Sequence, residues 1–121
     1  MNDLPLFKIQ NEILKQKIRQ FLVHSFLYYQ LSESVISDSE YDLLCVELGR
    51  MLQQNPEPVE FRELVESALG AEASGFTIRQ YPPGIVSAAI HLIYQTRYKN
   101  SAMRFPEFVE RLGYQLNFSD S

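Results

Sequence analysis

Five residues in one short stretch have types suited to a flat, charged, hydroxyl-bearing molecule: Tyr28, Tyr29, Asp38, Tyr41 and Asp42. A tyrosine face attracts a planar cation through its ring quadrupole. Carboxylates accept hydrogen bonds from hydroxyl and carboxamide donors, and more strongly than neutral acceptors do. Asp38, Tyr41 and Asp42 stand at i, i+3 and i+4, which places them on one side of a helix. The start of that helix carries partial positive charge suited to a phosphate. Structural duties compete for the same residues: Asp38 favours a helix dipole, Tyr41 can staple a helix start, and Tyr28 can enter a core. Asp42 has the fewest such duties, since a solvated face is its only other account.

These side chains need a helix before them, a connector, and a second helix beginning at Ser37. The apolar positions Ile9, Ile13, Leu14, Ile18, Phe21, Leu22, with Ser25 and Tyr28, recur in steps of three and four. They predict a helix from about Leu6 to Tyr29, with Lys15, Lys17, Arg19 and Gln20 mostly off the stripe. Gln30 to Ile36 has no helical period and reads as a connector. Ser37-Asp38-Ser39-Glu40 fits a capping box, and Ile36 and Tyr41 are placed for a hydrophobic staple around it. The stripe Tyr41, Leu44, Cys45, Leu48, Leu52 then runs until Asn55-Pro56 stops it. An antiparallel helical hairpin over roughly residues 6 to 54 is expected.

Pro58 is expected to open a third helix through Val59, Leu64, Val65, Ala68 and Leu69, with Gly70 as its stop. Ser74 to Ile78 fits a short extended piece, and Tyr81-Pro82-Pro83-Gly84 a turn or the first turn of a helix. Val86, Ala89, Ile90, Ile93 and Tyr94 predict a helix from Ile85 to about Tyr98. A short last helix is expected from Pro106 to Leu112, before Gly113. The fold class is all-α or nearly so: a helical hairpin plus two or three further helices in a single domain over residues 1–121.

At 121 residues, with 45% hydrophobic and 12% aromatic content, the chain has enough apolar mass for a folded core. Its net charge of −4 and lack of a basic run disfavour direct nucleic-acid binding. The one cysteine, Cys45, excludes an intramolecular disulfide and a Cys-rich zinc site. No apolar run approaches a membrane span, and the polar start MNDLPLFKIQ is unlike a signal peptide. A reducing cytoplasm is the expected compartment. His24 and His91 lack partners at zinc-ligand spacing, and no metal site is expected; Asp38, Glu40 and Asp42 read as a capped helix start. Ser87 and His91, at i and i+4, can touch, but no third triad member accompanies them.

The stretch "IRQFLVHSFLYYQLSESVISDSEYDLLCVELGRM" resembles, over roughly residues 10 to 55, the N-terminal Ia domain of bacterial NAD-dependent DNA ligases. Members carry a helix ending in Tyr-Tyr or Tyr-His, a short connector, and a helix beginning (Ser/Pro)-Asp-x-Glu-Tyr-Asp. In that family the domain binds the nicotinamide mononucleotide (NMN) half of NAD during enzyme adenylation. The resemblance implies that role for Tyr28, Tyr29, Asp38, Tyr41 and Asp42, with NMN or NAD as a weakly held ligand. Tyr29 stands where some members have His. Residues 56 to 121 carry no such resemblance.

The ligase reaction also needs a nucleotidyltransferase lysine in a Lys-x-Asp-Gly motif. Lys8, Lys15, Lys17 and Lys99 all lack that context, and the sequence has no Asp-Gly pair. These residues are therefore not expected to ligate DNA, and no catalytic residue is assigned. Two uses fit: a non-catalytic nicotinamide-nucleotide module acting with a nucleotidyltransferase partner in trans, or a protein-interaction module that inhibits or decoys a host ligase or replication factor. Such a unit suits a phage or mobile element. An NAD- or NMN-cleaving enzyme is disfavoured for want of a convincing nucleophile.

Overall fold

A computed structural model describes residues 6–70 and 78–114, which form five α-helices and no strand. Helix α1 spans Leu6–Gln30. Its inward face is Leu14, Ile18, Phe21, Leu22 and Ser25, all buried, and Phe26 and Leu27 extend that face. Burying each large apolar side chain of this kind stabilises the fold by about 1.5–3 kcal/mol. Ile9, Ile13 and Tyr28, read as members of the same stripe, are 42%, 44% and 47% exposed. They lie at the stripe's edges and ends, where the neighbouring helices do not cover them.

Helix α2 runs Asp38–Gln54. Both halves of the expected capping box form: the Glu40 amide donates to Ser37 Oγ at 3.1 Å, and the Ser37 amide donates to the Glu40 carboxylate at 2.8 Å. Leu44, Leu48 and Leu52 are its buried residues, and Asn55, held extended before Pro56, ends it. Tyr41, expected as a staple for the cap, stacks its ring on Phe21 of α1 with centroids 6.0 Å apart. The two helices pack as the expected hairpin, with Lys17 of α1 paired to Glu47 of α2 at 3.2 Å.

Helix α3, Arg62–Leu69, begins later than the Pro58 start the sequence implies. Two features account for the difference. Phe61 takes a left-handed backbone (φ 66°), which breaks any helix ahead of it. The Arg62 guanidinium donates to the carbonyls of Leu52 at 2.7 Å, Asn55 at 2.5 Å and Glu57 at 3.1 Å, so it satisfies the open end of α2 and shapes the turn. Gly70 does end α3, though with ordinary right-handed backbone.

Of the expected extended piece at Ser74 to Ile78, only Ile78 lies within the described residues, and it is buried. Helix α4 spans Pro83–Ile93, so the Pro82-Pro83 pair forms a helix start. It buries Ile85, Ala89, Ile90 and Ile93 against α1. The predicted continuation to Tyr98 exists as a π-helical turn, Tyr94–Tyr98. Helix α5, Phe105–Arg111, closes the fold, and Gly113 supplies the positive φ (89°) that follows it. Tyr81 is a core residue set edge-on to Phe26, while Tyr94 and Tyr98 pack on Phe108. No helix among the described residues is long and apolar enough to cross a membrane.

Candidate functional site at the α1–α2 junction

The end of α1, the connector after it and the start of α2 enclose a hollow of about 310 Å³. Tyr28, Tyr29, Asp38, Tyr41 and Asp42 all line it. Tyr28 and Tyr29 come from the last turn of α1, while Asp38, Tyr41 and Asp42 come from the first turns of α2. The capping box fixes where that second group begins, because it fixes the first helical residue. Asp38 and Asp42 are exposed at the mouth, whereas Tyr29 and Tyr41 are half-buried.

The three tyrosines form one aromatic wall. Tyr28 meets Tyr29 edge-on at 4.8 Å between centroids, and is inclined by 30° to Tyr41 at 6.2 Å. Tyr41 is the anchor of the group: its hydroxyl is 2.6 Å from Ser25 Oγ, a fully buried serine of α1. Burial pushes the Tyr41 phenol well above the usual tyrosine range. Tyr29 is raised as well, first by burial and then by the neighbouring Tyr28, Cys45 and Asp42. Both phenols therefore stay neutral near pH 7.

Further lining residues were not read as part of this site from sequence: His24, weighed only as a metal ligand, Glu33, Ser34 and Val35, with Ile36 noted only as a staple. His24 had a signal, since it lies four residues before Tyr28 and so shares its helix face. Burial lowers its pKa below the ordinary histidine value, against the opposing pull of the Glu40 carboxylate. Glu33 and Ser34 had none, because a connector has no periodicity to read. Both are held from the other half of the chain: Arg97, in the π-helical turn, donates to the Glu33 carboxylate and to the Ser34 carbonyl.

The lining thus carries three carboxylates, Glu33, Asp38 and Asp42, and neither lysine nor arginine. Such a surface attracts a cation and donors such as hydroxyls. The phosphate-binding role read for the α2 start is narrowed, since the capping box already engages the Ser37 and Glu40 amides. No group of three or more His, Cys, Asp or Glu among the described residues is placed to hold a metal ion. Cys45 is half-buried on α2 and takes part in no disulfide. His91 meets the backbone carbonyl of Ser87, not its hydroxyl, with Nδ1 at 2.9 Å, so the pair is not a catalytic dyad.

Over 64 residues the chain is 34% identical to a DNA ligase of Buchnera aphidicola subsp. Baizongia pistaciae (strain Bp). It carries a DNA ligase-like region. The similarity takes in 53% of this chain but only 9% of the length of that ligase, so the ligase-like region corresponds to a small part of the larger protein. Neither a protein-family model nor a solved structure matches the chain.

Proposed function

We propose that the α1–α2 hollow binds the NMN half of NAD, and that residues 10–55 are the counterpart of a ligase Ia domain. The observation that carries this is the convergence of Tyr28, Tyr29, Asp38, Tyr41 and Asp42, spread over two helices, on one hollow. A nicotinamide riboside presents a flat pyridinium cation to the tyrosine wall and hydroxyls to the carboxylates. The hollow's volume, about 310 Å³, is at the low end of the roughly 300–1,000 Å³ usual for small-ligand sites. It suits half of a dinucleotide better than a whole one. The ligase-like region adds a relative whose name agrees with the reading. Binding, not bond-making, is the role, with the chemistry supplied by a nucleotidyltransferase unit acting on the same nucleotide.

One open hollow gives a weak site. Stacking and a few charge-assisted hydrogen bonds, less the association cost, leave roughly −4 to −6 kcal/mol. That corresponds to a Kd between about 1 mM and tens of micromolar. Tyrosine fluorescence reports it directly, because the chain has no tryptophan and the hollow holds Tyr28, Tyr29 and Tyr41. Titration with NMN and with NAD is expected to quench it at similar concentrations. A flat response to both through several times the upper Kd would sink the proposal.

A second reading, a protein-interaction module acting on a ligase or replication factor, has one observation in its favour. Leu43 and Val46, one turn apart on α2 and next to Asp42, are 57% and 68% exposed. Under that reading, aspartate at both positions abolishes partner capture while leaving fluorescence insensitive to NMN in every variant.

A further inference from the structure

The π-helical turn re-aims one side chain. Ile85, Ala89 and Ile93 follow one another in four-residue steps along α4, and all are buried. An unbroken α-helix would set Arg97 next in that row, a guanidinium directed at the core. The wider π turn carries Tyr98 there instead, packed on the core with its ring 4.8 Å from that of Phe108. Arg97 is thereby left at the surface, facing the connector between α1 and α2.

There its guanidinium spans two acceptors, the Glu33 carboxylate and the Ser34 carbonyl, from 64 and 63 residues away in sequence. Both acceptor residues line the hollow. The connector's other bonds are local: the Glu33 amide donates to the Leu27 carbonyl at 2.8 Å, and Ser34 Oγ donates to the Ile36 carbonyl at 2.6 Å. Its backbone also carries a left-handed serine, Ser32, at φ 56°. A short loop with that strain needs an outside hold to keep a single shape.

We infer that Arg97 is a positioning residue for the hollow: it fixes the connector as one wall and so makes the C-terminal half part of the site. It also neutralises Glu33, one of the three carboxylates around the hollow. That the wall serves a nucleotide rests on the function proposed above; that Arg97 shapes the wall does not.

Hydrogen exchange at the Glu33 amide, in the ligand-free protein, tests the clamp, and an NMN titration by tyrosine fluorescence runs beside it. Arg97→Ala should speed that exchange about tenfold or more while amides inside α1 and α4 keep the parent rates. Its NMN affinity should fall by about five- to tenfold, a loss of ordered wall and not of a contact. Arg97→Lys should be intermediate in both, because an ammonium cannot hold two forked acceptors as a guanidinium does. Unchanged Glu33 exchange in either folded variant overturns the inference, and so does faster exchange with undiminished NMN affinity. A parent protein that fails to bind NMN defeats the proposed function instead, and the exchange rates alone then decide the clamp.

Discussion

Ser25 and Tyr41 join the two helices of the hairpin through hydroxyls 2.6 Å apart, one of them fully buried. A residue that lines the hollow is thus also fastened to the core, so its ring and its hydroxyl have separable tasks. The ring stacks on Phe21 and faces the hollow, and the hydroxyl serves a buried partner. Tyr41→Phe should therefore cost about 1 kcal/mol of stability, the ordinary worth of one intramolecular hydrogen bond. NMN affinity should change little, because the aromatic face remains. Chemical denaturation beside the fluorescence titration checks both; a variant as stable as the parent but unable to bind would assign the hydroxyl to the ligand.

Ser32 holds a backbone conformation that costs an L-residue roughly 1–2 kcal/mol relative to glycine. It follows the last turn of α1, where glycine is the usual occupant. Ser32→Gly should gain up to about 1 kcal/mol, since part of the relief is offset by the greater freedom of glycine in the unfolded chain. Thermal melting measures it, and a lower melting point would mean that the serine side chain supports the turn.

The hairpin was legible in sequence because its signals are local. Three- and four-residue spacing marks α1, Ser37 to Glu40 marks the start of α2, and Asn55-Pro56 marks its end. That the five residues of the candidate site share one hollow was legible for the same reason, since their spacing on two adjacent helices already brings them to one corner. Arg62 shows where this stops: its three acceptor carbonyls lie five to ten residues back, and no local pattern announces them. Arg97 is a stronger case. A π turn adds a residue to a helical turn without changing composition, so the periodicity from Ile85 to Tyr98 reads as one α-helix. Which side chain then reaches the connector depends on packing between distant segments.

Acid should destabilise the fold in two stages. His24 has a folded-state pKa below its ordinary value of about 6.5, so the unfolded chain takes up the proton first. Its contribution is fully present above about pH 6.5 and is lost as pH falls below it. Glu40 is also lowered, by hydrogen bonds from the Ser37 amide and side chain, and its contribution is lost only below the ordinary glutamate value of 4.5. Melting temperature against pH should therefore slope downward just below pH 6.5 in the parent and flatten there in His24→Gln. The loss below about pH 4.5 should persist in that variant. An unaltered slope in the upper window would remove His24 from the account.

The charge of the lining predicts a preference among nicotinamide relatives. With Glu33 paired to Arg97, Asp38 and Asp42 oppose any added negative charge, so replacing the carboxamide of NMN by a carboxylate should be costly. Nicotinic acid mononucleotide should bind at least about tenfold more weakly than NMN, a difference of about 1.4 kcal/mol. Removing the phosphate should matter less, and nicotinamide riboside should stay within about tenfold of NMN. Calorimetry across the three compounds checks the order; tightest binding by the most anionic one would contradict the electrostatic reading.

Asp42 and Ser37 separate the site from its scaffold. Ser37 Oγ accepts from the Glu40 amide and completes the capping box, while its own position is outside the hollow's lining. Ser37→Ala should cost about 1 kcal/mol of stability and leave NMN affinity near that of the parent wherever the protein is folded. Asp42 is exposed on the second turn of α2 and lines the hollow beside Tyr41. Asp42→Asn should shift stability by less than about 0.5 kcal/mol, as exposed substitutions usually do. It removes the charge from a proposed hydrogen bond to the ligand, worth roughly 1.5–3 kcal/mol, so affinity should fall tenfold or more. Melting and NMN titration on the two variants should give opposite patterns. If Asp42→Asn binds NMN as the parent does, Asp42 is a solvated helix-face aspartate and the hollow's acidic mouth has no part in recognition.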